Sequence, residues 1–135
     1  MSVNEFRLRL VANDNASREK GLMFADPLAE DEVALFVFPH SDRYAFWNRN
    51  VSFGLTLAFL DENGRVVDTK DLEAQSESMV SPDADARFVV ELKKGTLEKL
   101  GAKKGDTFLY ENGALKLSRH GENETYSPGN RIGAR

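Results

Sequence analysis

Residues 44–67, YAFWNRNVSFGLTLAFLDENGRVV, leave this chain few folds to choose from. They read as a strand at Tyr44–Trp47, a polar turn, a strand at Leu55–Leu60, a tight hairpin, and a returning strand from Arg65 to Asp68. Asp61-Glu62-Asn63-Gly64 is the hairpin signal, because Asn-Gly readily takes the positive φ angles of a two-residue turn. Strands that short must find further partners, and the rest of the chain supplies them.

Residues 5–11 alternate, with Phe6, Leu8 and Leu10 on one face and Arg7 and Arg9 on the other, as a half-buried strand does. Asn13, Asp14 and Asn15 offer N-caps for a short helix over Ala16–Lys20, which Gly21 can end. Leu22, Met23 and Phe24 are then expected to turn into the core. After a polar loop with Pro27, residues 33–38, VALFVF, are apolar on both faces, the mark of a central strand covered from both sides. Pro39 to Arg43 is expected to break it.

Thr69 to Asp85 is polar and acidic and reads as a long loop with an extended segment near Met79-Val80. Residues 86–92 alternate, with Phe88, Val90 and Leu92 facing in. Thr96–Leu100 predicts one helical turn closed by Gly101. TFLYE and ALKLS predict a last hairpin across Asn112-Gly113. Short strands, frequent turns and two short helices predict a mainly β domain, a small β-sandwich or distorted barrel, over residues 1–118. Residues 119–135 lack periodicity and hold only Tyr126 and Ile132 as sizeable apolar groups. We read them as a polar tail that docks on a partner chain or on a second copy.

A chain of 135 residues is one domain and buries roughly two thirds of its unfolded surface. It has no cysteine, which excludes disulfides, thiolate metal sites and cysteine nucleophiles. With 22 acidic and 18 basic residues and a net charge of −4, it lacks the basic balance of a nucleic-acid binder. The start, MSVNEFRLRL, reads as neither signal peptide nor membrane anchor, and no apolar run approaches the roughly 20 residues of a membrane span. The chain as given is expected to be cytoplasmic.

Trp47, Arg49 and Asn50 are the candidate binding residues. Arginine presents a planar fork to a carboxylate or phosphate. Asparagine both donates and accepts, and tryptophan gives an apolar platform for a ring or a sugar. The competing reading makes Trp47 a core residue and Arg49-Asn50 the cap of a turn. Other chemistry finds little support. Asp61–Gly64 lacks the alternating ligands and distal glutamate of a calcium loop. His40 and His120 have no second ligand at metal spacing. No serine lies in a nucleophile elbow, and no Gly-rich loop cradles phosphate. Neither metal nor cofactor is expected, and no catalytic residue is assigned. Glu73, Glu77, Asp83 and Asp85 read as a solvated acidic loop.

A wider set of marks has a recognisable order. It runs through Gly21-Leu22-Met23-Phe24, Leu35-Phe36-Val37-Phe38, and Phe46-Trp47 with Asn50. Leu55, Phe59, Leu60, Asp61, Gly64, Val66 and Val67 follow, then Ala86-Arg87-Phe88-Val89, Glu91-Leu92, Gly95, Gly101, Gly105 and Asp106. Over about residues 5–110 the chain resembles the uncharacterised bacterial and archaeal family called domain of unknown function 192. The resemblance implies a small, mostly β, sandwich-like domain with no established activity, and export or lipid anchoring in many relatives. That family usually reads Phe-Trp-Met-Lys-Asn-Thr, two residues, then Pro-Leu-Asp. This chain has Asn48, Arg49, Val51, Gly54 and Thr56 at the departing positions. The lysine–aspartate pair of the family pattern is therefore incomplete, which weakens a catalytic reading.

Three functions stay open at this point. The first is a non-enzymatic ligand-binding or protein-interaction module that presents Trp47, Arg49 and Asn50 to a small anionic or sugar-like ligand. The second is a small enzyme in which Arg49 orients such a substrate and Asp61 or Glu91 serves as base. The third is a structural subunit of a large assembly such as a viral particle.

Overall fold

The computed structural model describes residues 4–120 and Ile132. In chain order the elements are β1 (Asn4–Ala12), α1 (Asn15–Lys20), β2 (Glu32–Asp42), β3 (Leu55–Leu60), β4 (Val66–Leu72), β5 (Ala86–Lys93), α2 (Thr96–Leu100), β6 (Thr107–Glu111) and β7 (Ala114–Ser118). The seven strands form one sheet in the order β4-β3-β5-β2-β1-β7-β6. Only β1 and β2 pair in parallel, and α1 lies in the crossover between them. Asp14 caps α1 as expected: its carboxylate accepts from the Ser17 N–H at 2.8 Å, and Ser17 Oγ returns the contact to the Asp14 N–H.

The sheet curls until its two ends meet. Val66 N–H donates to Asp106 O at 2.7 Å and Phe108 N–H to Gly64 O at 2.8 Å, while Arg65 and Thr107 form a bridge. The β3–β4 hairpin at one edge is thereby tied to β6 at the other. Of the two expected outcomes, the curled sheet is nearer a half-closed barrel than a sandwich of two sheets. One buried cluster, with Leu35, Leu60, Phe88, Val90 and Phe108, fills the face shared by both ends of the sheet. A second, with Phe36, Leu57, Phe59 and Val89, fills the other face. There Leu22, Phe46 and Val51 come down as a lid of irregular chain.

This second layer explains where the structure departs from expectation. β5 does alternate, yet its other face is buried as well, because Val89 and Glu91 lie under the lid. β2 does not stop at Pro39. It runs to Asp42 around an irregularity in which five steps of β2, Val37 to Asp42, oppose two of β5, Phe88 to Ala86. Proline has no N–H to offer a ladder, and the irregularity is where that loss is tolerated. Tyr44–Trp47 is not a strand. Phe46 alone bridges to Val80, in the loop where an extended segment was expected. That loop takes a positive φ of 59° at Gln75 and runs on into Pro82, so no ladder grows from the bridge. β4 extends to Leu72, shortening the long loop to 73–85.

The turns also differ. Asn112 and Gly113 have φ of 53° and 80°, as a two-residue hairpin with positive φ requires. In the earlier hairpin only Gly64 has positive φ, and Asp61 Oδ1 holds the turn by accepting from Asn63 and Arg65 N–H. The predicted tail lies outside the described residues except for Arg119, His120 and Ile132. Arg119 donates to Leu100 O at 2.6 Å, the His120 N–H to Asp106 Oδ1 at 2.7 Å, and Ile132 is buried against the first cluster.

Candidate functional site

A cleft of about 400 Å³ opens between α1 and residues 44–51, above the β2 and β5 part of the sheet. It arises because the chain after α1 and the chain around Phe46 approach the same sheet face from two sides. Phe46 is the aromatic that enters the core. It packs edge-on against Phe36 and Phe59, with ring centres 5.4 and 5.9 Å away. Its neighbour Trp47 must then point the other way, and it is 37% exposed at the cleft rim. The reading of Trp47 as a core residue is corrected on this ground: in an extended stretch only one of two successive side chains can face the sheet.

Arg49 lies at the same rim. Its guanidinium carbon is 5.6 Å from the Trp47 ring centre, and Nε is 3.9 Å from Glu77 Oε2. Both partners of that ion pair are more than half exposed, so the pairing is weak and the fork remains available. Asn50 has another task. It sits at φ 63°, and its carbonyl accepts from Phe24 N–H at 2.9 Å, which clips the loop to the segment after α1. Asparagine tolerates this left-handed conformation better than most residues. The structure thus brings Trp47 and Arg49 together at the cleft and gives Asn50 to the turn beside them.

Asn48 is what holds the loop. It is buried, and its Nδ2 donates to Phe53 O at 2.9 Å and Glu73 O at 3.0 Å. Two carbonyl partners fix the orientation of the amide, since turning it would set oxygen against oxygen. The other end, Oδ1, is buried without a hydrogen-bond partner among the described residues, and the residue lines the cleft. Replacing Asn48 with alanine takes the donor from two part-buried carbonyls and unpins the loop. Stability should fall by about 2–3 kcal/mol, read as the urea midpoint, with Trp47 emission shifting as the loop loosens.

Arg18 of α1 lines the cleft but is committed elsewhere. It donates to Val37 O at 2.7 Å and to Asn15 Oδ1 at 2.9 Å, and its guanidinium lies over Phe38. The other charged groups around the opening are Glu19 and Lys20. Two exposed apolar side chains adjoin the site: Met79 on the rim, and Phe24, at φ 62° and 79% exposed. Phe24 was expected in the core. Leu22 takes that place, and the backbone bond to Asn50 turns Phe24 outward.

The floor holds an acid. Glu91 is 4% exposed, on β5 between Ala34 of β2 and Leu57 of β3. Its side chain faces the cleft, beside Leu22, Phe36 and Phe46. Burial raises its pKa from 4.5 to about 8, so the carboxyl is mostly protonated at neutral pH. In the sequence Glu91 looks like the solvent face of an alternating strand. The signal available there was a lone carboxylate within FVVEL, a run otherwise apolar. Asp61, the other carboxylate considered as a base, holds the β3–β4 turn instead.

Residues 2–109 match the family described as "Uncharacterized ACR", domain of unknown function 192. The chain belongs to this family. Among solved structures, a protein of unknown function from Novosphingobium aromaticivorans DSM 12444 is similar, with 30% identity over 76% of this chain and 73% of that one and a TM-score of 0.71. So is a protein described as a "putative transcription regulator" from Sinorhizobium meliloti 1021, with 26% identity over 78% of this chain and 88% of that one and a TM-score of 0.71. No curated protein matches. Thr56 is structural. Thr56 Oγ1 donates to Asp71 Oδ1 at 2.9 Å and accepts from Gly95 N–H at 3.1 Å, joining β3, β4 and the entry to α2. Among the described residues no three His, Cys, Asp or Glu gather as a metal site, and no helix is long and apolar enough to cross a membrane.

Proposed function

We propose that the domain is a small-molecule binding module whose ligand enters the cleft between α1 and residues 44–51. The observation that supports this best is the pairing of an exposed tryptophan with a weakly engaged arginine at the mouth of a mostly apolar cleft. Its volume, about 400 Å³, lies in the usual range for small ligands, roughly 300–1,000 Å³. Apolar walls of Phe36, Phe38 and Met79 with the cations Arg49 and Lys20 at the opening suit a flat organic anion better than a sugar, which needs several polar partners. Trp47 and Arg49 keep the roles of platform and anion fork, while Asn50, expected as a polar contact, braces the loop instead. A cytoplasmic setting and a tail at 119–135 that docks on a partner or a second copy belong to the same reading.

A second reading, a small enzyme acting on an anionic or sugar-like substrate, gains something from Glu91. A carboxyl with a pKa of about 8 is suited to proton transfer near neutral pH. Among the described residues no nucleophile–base pair accompanies it, and so this reading ranks below binding. A transcriptional role, the description given to the Sinorhizobium meliloti structure, calls for a basic surface, which a net charge of −4 does not favour. A structural subunit of a large assembly rests on the tail alone.

Trp47 is the only tryptophan, so its emission reports the cleft directly. Titration with benzoate, citrate, inorganic phosphate and glucose should change emission most with benzoate and least with glucose. Arg49→Ala should weaken benzoate binding about 10- to 100-fold, the loss of a charge-assisted hydrogen bond. No response to any of the four at millimolar concentration, or an Arg49→Ala protein that binds benzoate as well as the parent, would overturn the reading.

A further inference from the structure

Glu91 has no structural task that its neighbours reveal. Carboxylates kept inside a fold normally face an arginine, a lysine or a set of N–H groups, because an unmatched charge there is expensive. Asp68 and Asp106 obey the rule: each is buried, and each accepts two backbone N–H bonds. Glu91 does not. Its register partners are Ala34 and Leu57, and the side chains over it are apolar. The charged and titratable groups nearest its side of the sheet are Arg18, Glu19 and Lys20 of α1 with Tyr44 and Arg49 of the loop. Arg18 is spent on Val37 and Asn15, Tyr44 donates to His40 O at 2.6 Å, and Arg49 stays at the rim with Trp47 and Glu77. A leucine would fill this place at less cost. What a carboxyl adds is one directed polar group at the closed end of an apolar cleft. Asn48, which also lines the cleft, buries an Oδ1 that has no hydrogen-bond partner among the described residues.

We propose that Glu91 is a specificity-determining group of the cleft, giving its carboxyl hydrogen to an acceptor oxygen at the buried end of the ligand while Arg49 holds an anionic group at the mouth. The inference rests on the reading of the cleft as a ligand site and narrows its chemistry. The ligand class is a flat organic anion with a carbonyl-type oxygen opposite its charge. Because burial holds the Glu91 pKa at about 8, the hydrogen is present at neutral pH and lost above that value. A ligand that places a second full negative charge, or an apolar end, against Glu91 gains nothing there.

Two probes of nearly equal shape separate the terms: 4-acetylbenzoate carries a carbonyl opposite its carboxylate, and 4-isopropenylbenzoate a methylene group in the place of that oxygen. Binding is followed by Trp47 emission. The parent protein should prefer 4-acetylbenzoate about fivefold to tenfold at pH 6, the worth of one buried hydrogen bond. The preference should fade as pH rises through 8. Glu91→Leu should lose it at every pH. Glu91→Gln, which keeps a donor that does not titrate, should retain part of it at pH 9. Equal affinity for the two probes at pH 6, with binding still dependent on Arg49, would overturn the role of Glu91 and leave the cleft as a ligand site. Failure of both probes to bind would overturn the two together.

Discussion

Glu91→Gln should stabilise the domain more and more as pH rises. The difference in unfolding free energy between variant and parent should grow by about 3 kcal/mol between pH 5 and pH 8. In the unfolded chain the carboxyl titrates at 4.5; in the fold burial moves it to about 8. The folded state therefore binds the extra proton, and its stability falls as pH climbs through that window. Below 4.5 the carboxyl is neutral in both states and nothing is lost; above 8 the full loss has been taken. Glutamine has no proton to lose, so its curve follows only the other groups of the chain. Urea denaturation of both proteins at pH 5, 6, 7 and 8 reads the difference directly. A constant gap would mean that Glu91 is ionised at little cost, contrary to its apolar surroundings.

Gly64→Ala should cost about 3 kcal/mol or more, and Gly113→Ala about 1. The two glycines have nearly the same φ, 83° and 80°, so the penalty for a positive φ is shared. They differ in what a methyl group meets. At Gly113 nothing lies within 4 Å, whereas at Gly64 the new Cβ would stand 2.6 Å from Phe108 O. The hairpin must then back away from β6, and the bonds that curl the sheet, Phe108 N–H to Gly64 O and Val66 N–H to Asp106 O, lengthen together. Thermal unfolding of the pair isolates the contact from the φ angle. Equal losses would show that closure of the sheet does not depend on this approach.

Much of the strand pattern was legible because it is local. The alternation in residues 5–11, the both-faced run at 33–38 and the Asn112-Gly113 turn each carry their own signal, and β1, the first part of β2 and the last hairpin lie where those signals put them. The cleft was not legible in the same way. It depends on an irregular lid, and no period marks the side of the sheet on which a loop will settle. Phe46 and Trp47 are neighbours with equal claims to the core, and only the position of Phe36 and Phe59 decides between them. Glu91 was misplaced on the outer face for the same reason: alternation tells that two faces exist, not that both are covered. Asn48, noticed only as a departure from the family pattern, holds the loop through bonds to Phe53 and Glu73, the second of which is remote in sequence.

A neutral acid in the floor of an open cleft is the point on which the reading of this molecule turns. Carbon-13 NMR of the glutamate side-chain carboxyls, followed from pH 4 to pH 10, tests it most directly. One resonance should titrate near pH 8 and be missing from the Glu91→Gln spectrum. If every glutamate carboxyl, Glu91 included, titrates below about pH 5, in the range of exposed carboxylates, Glu91 is a solvated anion and the cleft has no hydrogen to give.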